Sequence, residues 1–246
     1  MSYRFNSLLF IVLFSGHCFA QHVEYNFGAG SGLYHYLSDK SHRMSLSYSF
    51  LNTSLGYRGP QISYMNDPNG EKSGFSFQFF AGVKKVTIHN LLWGIDVEFQ
   101  SLQSKKNILY VFAYDSSYAS TGHCTLTNRY IDLFPYIGKR ILIKNMYFDI
   151  TGGFELAMGF FNSQQFDHAV INSTGQILQA DIKSKGYGHN AMDGRFRLQS
   201  LTRFDKHWGI SLGYAWGLTN LDGQNDPNHS HSRYASIGIN YVLQKK

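Results

Sequence analysis

The chain predicts an all-β fold: a transmembrane, antiparallel up-and-down β-barrel of about eight strands, with long extracellular loops and short periplasmic turns. Three observations lead there. Residues 206–219 place Trp208, Ile210, Leu212, Tyr214, Trp216 and Leu218 on one face of a strand. Gly209, Ser211, Gly213, Ala215, Gly217 and Thr219 fall on the other, because successive side chains of a strand point to opposite sides. The same alternation recurs along the chain, and all of it follows an export-like leader.

In the leader, Arg4 gives a positive start and Leu8 to Phe14 an apolar core. Cys18-Phe19-Ala20 approximates a small-x-Ala cleavage pattern. Residues 1–20 therefore read as a signal peptide and 21–246 as one barrel domain. The apolar run is shorter than the roughly 20 residues a spanning helix needs. A lipid-modified Cys18 fits poorly, since His17 stands where a small residue is expected.

Composition supports the same class. Aromatic residues make up 16% of the chain and suit strands and membrane interfaces. Mean hydropathy is −0.26, and no apolar run after the leader reaches spanning length. That argues against a helical membrane protein, whereas a barrel hides its membrane character in alternation. The formal charge of +6 comes from scattered cations without a basic helix. It fits an anionic lipid surface better than nucleic acid. Cys18 and Cys124 are the two cysteines, so the mature chain keeps one and forms no intrachain disulfide. Cys124, placed in a polar loop beside His123, reads as an inert thiol.

Eight strand segments follow in order: 23–33, 75–83, 91–99, 130–141, 146–160, 194–204, 206–219 and 233–243. In the first, Val23, Tyr25, Phe27 and Leu33 oppose Glu24, Asn26, Gly28 and Gly30. In the second, Phe75, Phe77, Phe79, Ala81 and Val83 oppose Ser76, Gln78 and Gly82. In the third, Leu91, Trp93, Ile95, Val97 and Phe99 oppose Gly94, Asp96 and Glu98. Connections 34–74, 100–129, 161–193 and 220–232 read as long loops, and 84–90, 142–145 and Asp205 as short turns. Met44, Leu46, Tyr48 and Phe50 also alternate with serines. With 52–64 they form either two further membrane strands, ten in all, or an external hairpin. Eight is the preferred count.

A soluble barrel has the same period with its apolar face inward. Here the apolar face is nearly free of charge and holds very large side chains, while the other is rich in Gly, Ala and Ser. Trp208 and Trp216 lie about 26 Å apart along a strand, or about 20 Å along the membrane normal at barrel tilt, close to the spacing of two aromatic girdles. Trp93, Trp208, Tyr214, Trp216 and Tyr241 are the interface aromatics on this reading.

Tyr-Ile-Asp-Leu-Phe-Pro-Tyr-Ile-Gly-Lys (130–139), Tyr147–Gly159 with Thr-Gly-Gly-Phe-Glu, and Tyr-Ala-Trp-Gly-Leu-Thr-Asn-Leu (214–221) carry a family resemblance. The chain resembles the outer-membrane β-barrel domain common in Bacteroidota, sometimes labelled PorT-like. The likeness covers the second half well and the first half only through strand spacing. It implies an outer-membrane barrel of about eight strands, without catalytic residues to carry over. The end Tyr241-Val-Leu-Gln-Lys-Lys246 departs from the family's usual terminal aromatic residue.

Glu24, Asp96, Glu98, Asp149, Glu155, Arg195 and Arg197 fall on the lumen face, with Gln78 and Gln199. They read as a salt-bridged plug in an interior just wide enough for side chains to fill, or as the lining of an ion path. Acids outnumber arginines in this set, so some carboxylates are expected to be hydrated or protonated. His229, His231 and His123, with Asp222 and Asp226, offer a weak metal pattern. His229-Ser230-His231-Ser232 sets a hydroxyl beside an imidazole, but neighbours on a strand face opposite ways. Asp67-Pro68-Asn69-Gly70 and Asp222–Asn228 are turn chemistry. Lys84-Lys85 is assigned to a turn and Lys139-Arg140 to a place next to another, both pairs in contact with lipid phosphates or solvent.

The sequence thus points to an exported, monomeric outer-membrane barrel with a structural or binding role. No enzyme activity, cofactor or metal is expected. Outer-membrane lipids, lipopolysaccharide and an unidentified envelope protein are the expected partners. The alternatives are a narrow porin-like channel, a lipid A-modifying enzyme, and an accessory subunit of an export machine.

Overall fold

Eleven strands form in the computed structural model, which describes residues 20–38, 43–49, 61–64, 70, 72–113, 116–171, 177–185, 192–221 and 230–245. They are β1 (Ala20–Ser38), β2 (Arg43–Ser49), β3 (Gln61–Tyr64), β4 (Lys72–Thr87), β5 (Leu91–Ala113), β6 (Ser116–Ile143), β7 (Met146–Ile171), β8 (Ile177–Lys185), β9 (Met192–Arg203), β10 (Trp208–Gly217) and β11 (Ser230–Lys245). The leader up to residue 19 lies outside the described residues.

Eight of these strands close into a ring. The order is β1, β4, β5, β6, β7, β9, β10, β11 and back to β1, with every neighbour antiparallel. The first and last strands pair from Val23↔Lys245 to Ser38↔Ser230. All eight segments expected from the alternation are these ring strands, in the expected order. Short turns at residues 88–90, 144–145 and 204–207 join them at one end, here called the turn end. The opposite, loop end carries the longer connections.

The ten-strand alternative does not hold. β2 pairs in parallel with the far end of β5, from Arg43↔Asn107 to Tyr48↔Ala113, and β3 pairs with β2. Both stand outside the ring. The long loops expected at 100–129 and 161–193 are largely strand instead. β5, β6 and β7 run for 23, 28 and 26 residues, more than twice the roughly 9–11 that cross a bilayer. Their excess forms a sheet beyond the ring at the loop end, edged by β3 on one side and β8 on the other.

Large apolar side chains cover the outside. Phe27, Leu33, Phe79, Leu212 and Ile237 are each about half exposed. The alternate residues face inward and are buried. Space inside is short: a Cβ on Gly28 would run into the Phe80 ring and the Ile239 carbonyl, so the smallest residue is required there. At the loop end Tyr34, Tyr36, Leu102, Leu126, Tyr130 and Tyr234 pack into an apolar cluster that caps the interior.

The turn between β9 and β10 is set by Asp205. Its Oδ1 accepts the backbone N–H groups of His207 and Trp208, both at 2.6 Å. These bonds favour the charged form and hold the carboxyl below the usual aspartate range. A depressed folded-state pKa stabilises above the unfolded value and is lost as the pH falls through the folded one. Asp205→Ala should therefore lower the urea midpoint of the lipid-reconstituted barrel at neutral pH. The gap from wild type should close as the pH falls below about 4. A gap independent of pH would contradict this account of the turn.

Candidate functional site

The barrel interior is built from charge. Inward positions of β1, β4, β6, β7 and β9 bring Glu24, Lys84, Arg140, Asp149 and Arg203 together near the turn end. Arg140 donates from Nη1 and Nη2 to Glu24 at 2.8 and 2.7 Å. It also donates from Nε and Nη2 to Asp149 at 2.7 and 2.9 Å. Lys84 Nζ lies 2.5 Å from Asp149 and 3.2 Å from Glu24. Arg203 adds a fifth charge 3.2 Å from Glu24, with its guanidinium 4.7 Å from the Tyr147 ring centre.

A second layer lies nearer the loop end. Arg197 Nη1 bridges Glu98 at 2.7 Å and Glu155 at 3.3 Å. Arg195 donates to Glu155, Gln100 and Asp193 at 2.7, 2.8 and 2.7 Å. Ser232 donates to the same Oδ2 of Asp193 at 2.7 Å. Aromatic faces cover both guanidiniums: Phe134 lies 4.7 Å from Arg197 and Tyr130 lies 4.9 Å from Arg195. Between the layers is a cavity of about 20 Å³ lined by Lys84, Asp96, Tyr136, Asp149, Gln199 and Asn240. That is room for one water. Tyr136 donates to Asp96 there at 3.3 Å.

The seven lumen residues named from sequence are all buried, each 3% exposed or less. They fall into the two layers: Glu24 and Asp149 in one; Glu98, Glu155, Arg195 and Arg197 in the other; Asp96 between. Sequence reasoning missed Lys84, Arg140, Arg203, Asp132 and Asp193. Lys84 and Arg140 correct an expectation, for neither contacts lipid or solvent. They are 1% and 4% exposed because β4 runs on to Thr87, into the expected turn, and β6 keeps its alternation through Arg140. Lys85 and Lys139 take the outward positions. With the missed residues included, seven buried acids meet five buried bases, and Lys106 of β5 is a sixth buried base among the described residues. Asp132 is the carboxylate with no hydrogen-bond partner at either oxygen.

The expected interface aromatics lie on the outer face. Trp208 and Tyr241 meet at 5.0 Å near the turn end, where Lys85 sits 4.7 Å over Trp93. Tyr214 and Trp216 meet at 4.6 Å towards the loop end. Cys124 lies in β6 rather than a loop. Burial pushes its thiol up to about 12, which suppresses the reactive thiolate. His229, Asp222 and Asp226 lie outside the described residues. His123 is on β6 and His231 on β11, and no metal-holding group of three or more His, Cys, Asp or Glu occurs among the described residues.

Removing one partner of a buried ion pair strands the other charge and costs about 3–5 kcal/mol. Arg140→Ala removes four charge-assisted hydrogen bonds from Glu24 and Asp149 and leaves them only Lys84 and Arg203, and its cost should reach that range in urea unfolding of the reconstituted barrel. Adding Glu24→Gln and Asp149→Asn to Arg140→Ala should deepen the loss, because Lys84 and Arg203 would then be buried without a carboxylate. A near-neutral Arg140→Ala would show that the network carries no such burden.

No known protein family matches the chain, and no curated protein does. Among solved structures it is similar to Ail, the attachment invasion locus protein of Yersinia pestis, in complex with the heparin analogue sucrose octasulfate. The identity is 10%, the match covers 91% of this chain and 100% of that one, and the TM-score is 0.40. It is also similar to Neisserial surface protein A, at 12% identity, 88% and 96% coverage and a TM-score of 0.38.

Proposed function

We propose that this chain is an integral outer-membrane barrel with a sealed lumen, whose strands and loops beyond the membrane bind partners. One observation carries the reading: the distribution of polarity is inverted, with ion pairs inside and an apolar band outside. Exposing that band to water forfeits the burial that stabilises a soluble protein. In a bilayer the same band is solvated by lipid, and the closed ring leaves no backbone edge unpaired there. The resemblance to the PorT-like outer-membrane barrels agrees with this, as does the export-like leader at residues 1–20.

The plug reading rests on Arg195 and Arg197. Both guanidiniums cross the lumen, held by carboxylates of β5, β7 and β9 and covered by Phe134 and Tyr130. A hydrated path for solutes has to displace both. Ring closure removes the barrel edges through which copies could pair, in keeping with a monomer. The sheet of β2, β3, β5, β6, β7 and β8 beyond the ring is where an envelope protein or lipopolysaccharide sugar has room to bind.

Single-channel recording of the folded protein in a planar bilayer tests the reading. The expected result is a folded, inserted and electrically silent barrel. Stable openings would overturn the plug and recast Arg195, Arg197, Glu98 and Glu155 as lining of a pore.

A further inference from the structure

Among the described residues the acids, Asp205 excepted, are confined to the interior, whereas the cations lie both inside and outside. Eight acidic side chains are described, and seven are buried in the interior: Glu24, Asp96, Glu98, Asp132, Asp149, Glu155 and Asp193. The eighth, Asp205, is held by backbone N–H groups at its turn. Nine described cations, by contrast, are not buried. The outer surface is therefore cationic almost without compensation among the described residues.

Five of these cations form a collar at the turn end: Lys85, Lys139, Lys144, Lys206 and Lys245. Their placement follows from register. Lys245 pairs with Val23, Val23 with Lys85, Lys85 with Trp93, and Trp93 with Ile137. This is one transverse row of outward side chains. Strands are about 4.8 Å apart, so Lys245 and Lys85 stand about 10 Å from each other across β1. Lys139 lies one row further out, paired with Leu91, and Lys144 and Lys206 occupy the turns.

The collar borders apolar surface directly. Ile141, Leu142 and Ile143 are 41%, 59% and 52% exposed and lie between Lys139 and Lys144 at the tip of the β6–β7 hairpin. Exposed aliphatic side chains interleaved with lysines match the depth where acyl chains meet headgroups, because lysine stems lie along apolar surface while the ammonium reaches the polar layer. Trp93, Trp208 and Tyr241 mark the same depth.

We infer that the turn end binds anionic phospholipid, the lysine collar engaging headgroup phosphates of phosphatidylglycerol-type lipids in the leaflet it faces. The inference rests on the membrane reading above and adds the identity of the lipid and the end that holds it. Charge complementarity and continuity with the apolar band carry it. A cell-wall polymer could also neutralise lysines, but it supplies no apolar phase for Ile141, Leu142 and Ile143.

The test uses the full chain folded into phosphatidylcholine vesicles that contain brominated phosphatidylglycerol or, separately, brominated phosphatidylcholine. Quenching of tryptophan fluorescence reports which lipid lies beside the barrel. The expected result is enrichment of phosphatidylglycerol by roughly tenfold, since one lysine near an anionic surface is worth about fivefold in binding. It should collapse in high salt and in the triple variant Lys139→Gln, Lys144→Gln, Lys206→Gln. It should persist in the loop-end variant Lys72→Gln, Lys105→Gln. Equal quenching by the two lipids overturns the inference while leaving the membrane reading intact. So does a preference that follows the loop-end variant. Failure of either brominated lipid to quench, with the protein folded but outside the vesicles, overturns both readings.

Discussion

Hydrogen bonding of β1 to β11 closes the ring, and the rest of the structure follows from that closure. Once the ring has no edge, each strand residue faces either the narrow interior or the outside. A one-residue slip in any strand would send its charges into the apolar phase and its phenylalanines into the lumen. Register is thus enforced at every strand. The β1–β11 pairing, which joins the two ends of the chain over 16 residue pairs, is enforced most remotely in sequence. The lumen charges are tied to the same constraint. Arg140 of β6 can meet Glu24 of β1 only when the strands between them hold the stated register.

Burying so many charges is not by itself a route to stability. Desolvation of each ion costs several kcal/mol, and an apolar filling of equal volume is often as good or better. What the ionic filling supplies is geometry. Arg195 donates to groups on β5, β7 and β9 at once, and Arg197 bridges β5 and β7. The links to Gln100 and Glu98 on β5 cross the lumen, while those to Glu155 and Asp193 fix the guanidiniums against β9 itself and its neighbour β7. They oppose collapse or shear of a ring whose walls are otherwise joined only edge to edge. Gly, Ser and Ala at other inward positions leave the volume that the long arginine and glutamate side chains fill.

Much of this was legible in the alternation, because a strand between two unlike phases must write that contrast at every second residue. Residues 206–219 announce it, and seven lumen residues could be named from parity. The errors have a common physical cause. Lys84, Arg140 and Arg203 sit at strand ends, where paired lysines and arginines resemble turn chemistry. Yet parity carried forward from Gln78, Asp132 or Arg197 points each of them inward. The upper parts of β5, β6 and β7 were missed for a different reason. Thr125, Thr127 and Gln103 lie on strands beyond the apolar band, so the contrast in polarity disappears while the backbone pairing continues. The alternation from Met44 marked β2 as a strand, but its place could not be read, since it pairs in parallel with a strand some 60 residues away and only tertiary structure specifies that.

The central claim is that β10 separates lipid from a filled interior. Spin-label accessibility along that strand tests it most directly. With Cys124 replaced, single labels at Ile210, Leu212 and Tyr214, and at Ser211 and Ala215, are compared in the reconstituted barrel. The account predicts that the first three collide with oxygen but not with a water-soluble nickel reagent. The last two should be shielded from both. Nickel access at Leu212 would mean that the apolar face meets water, and nickel access at Ser211 would mean that the lumen is open. Either result would contradict the account.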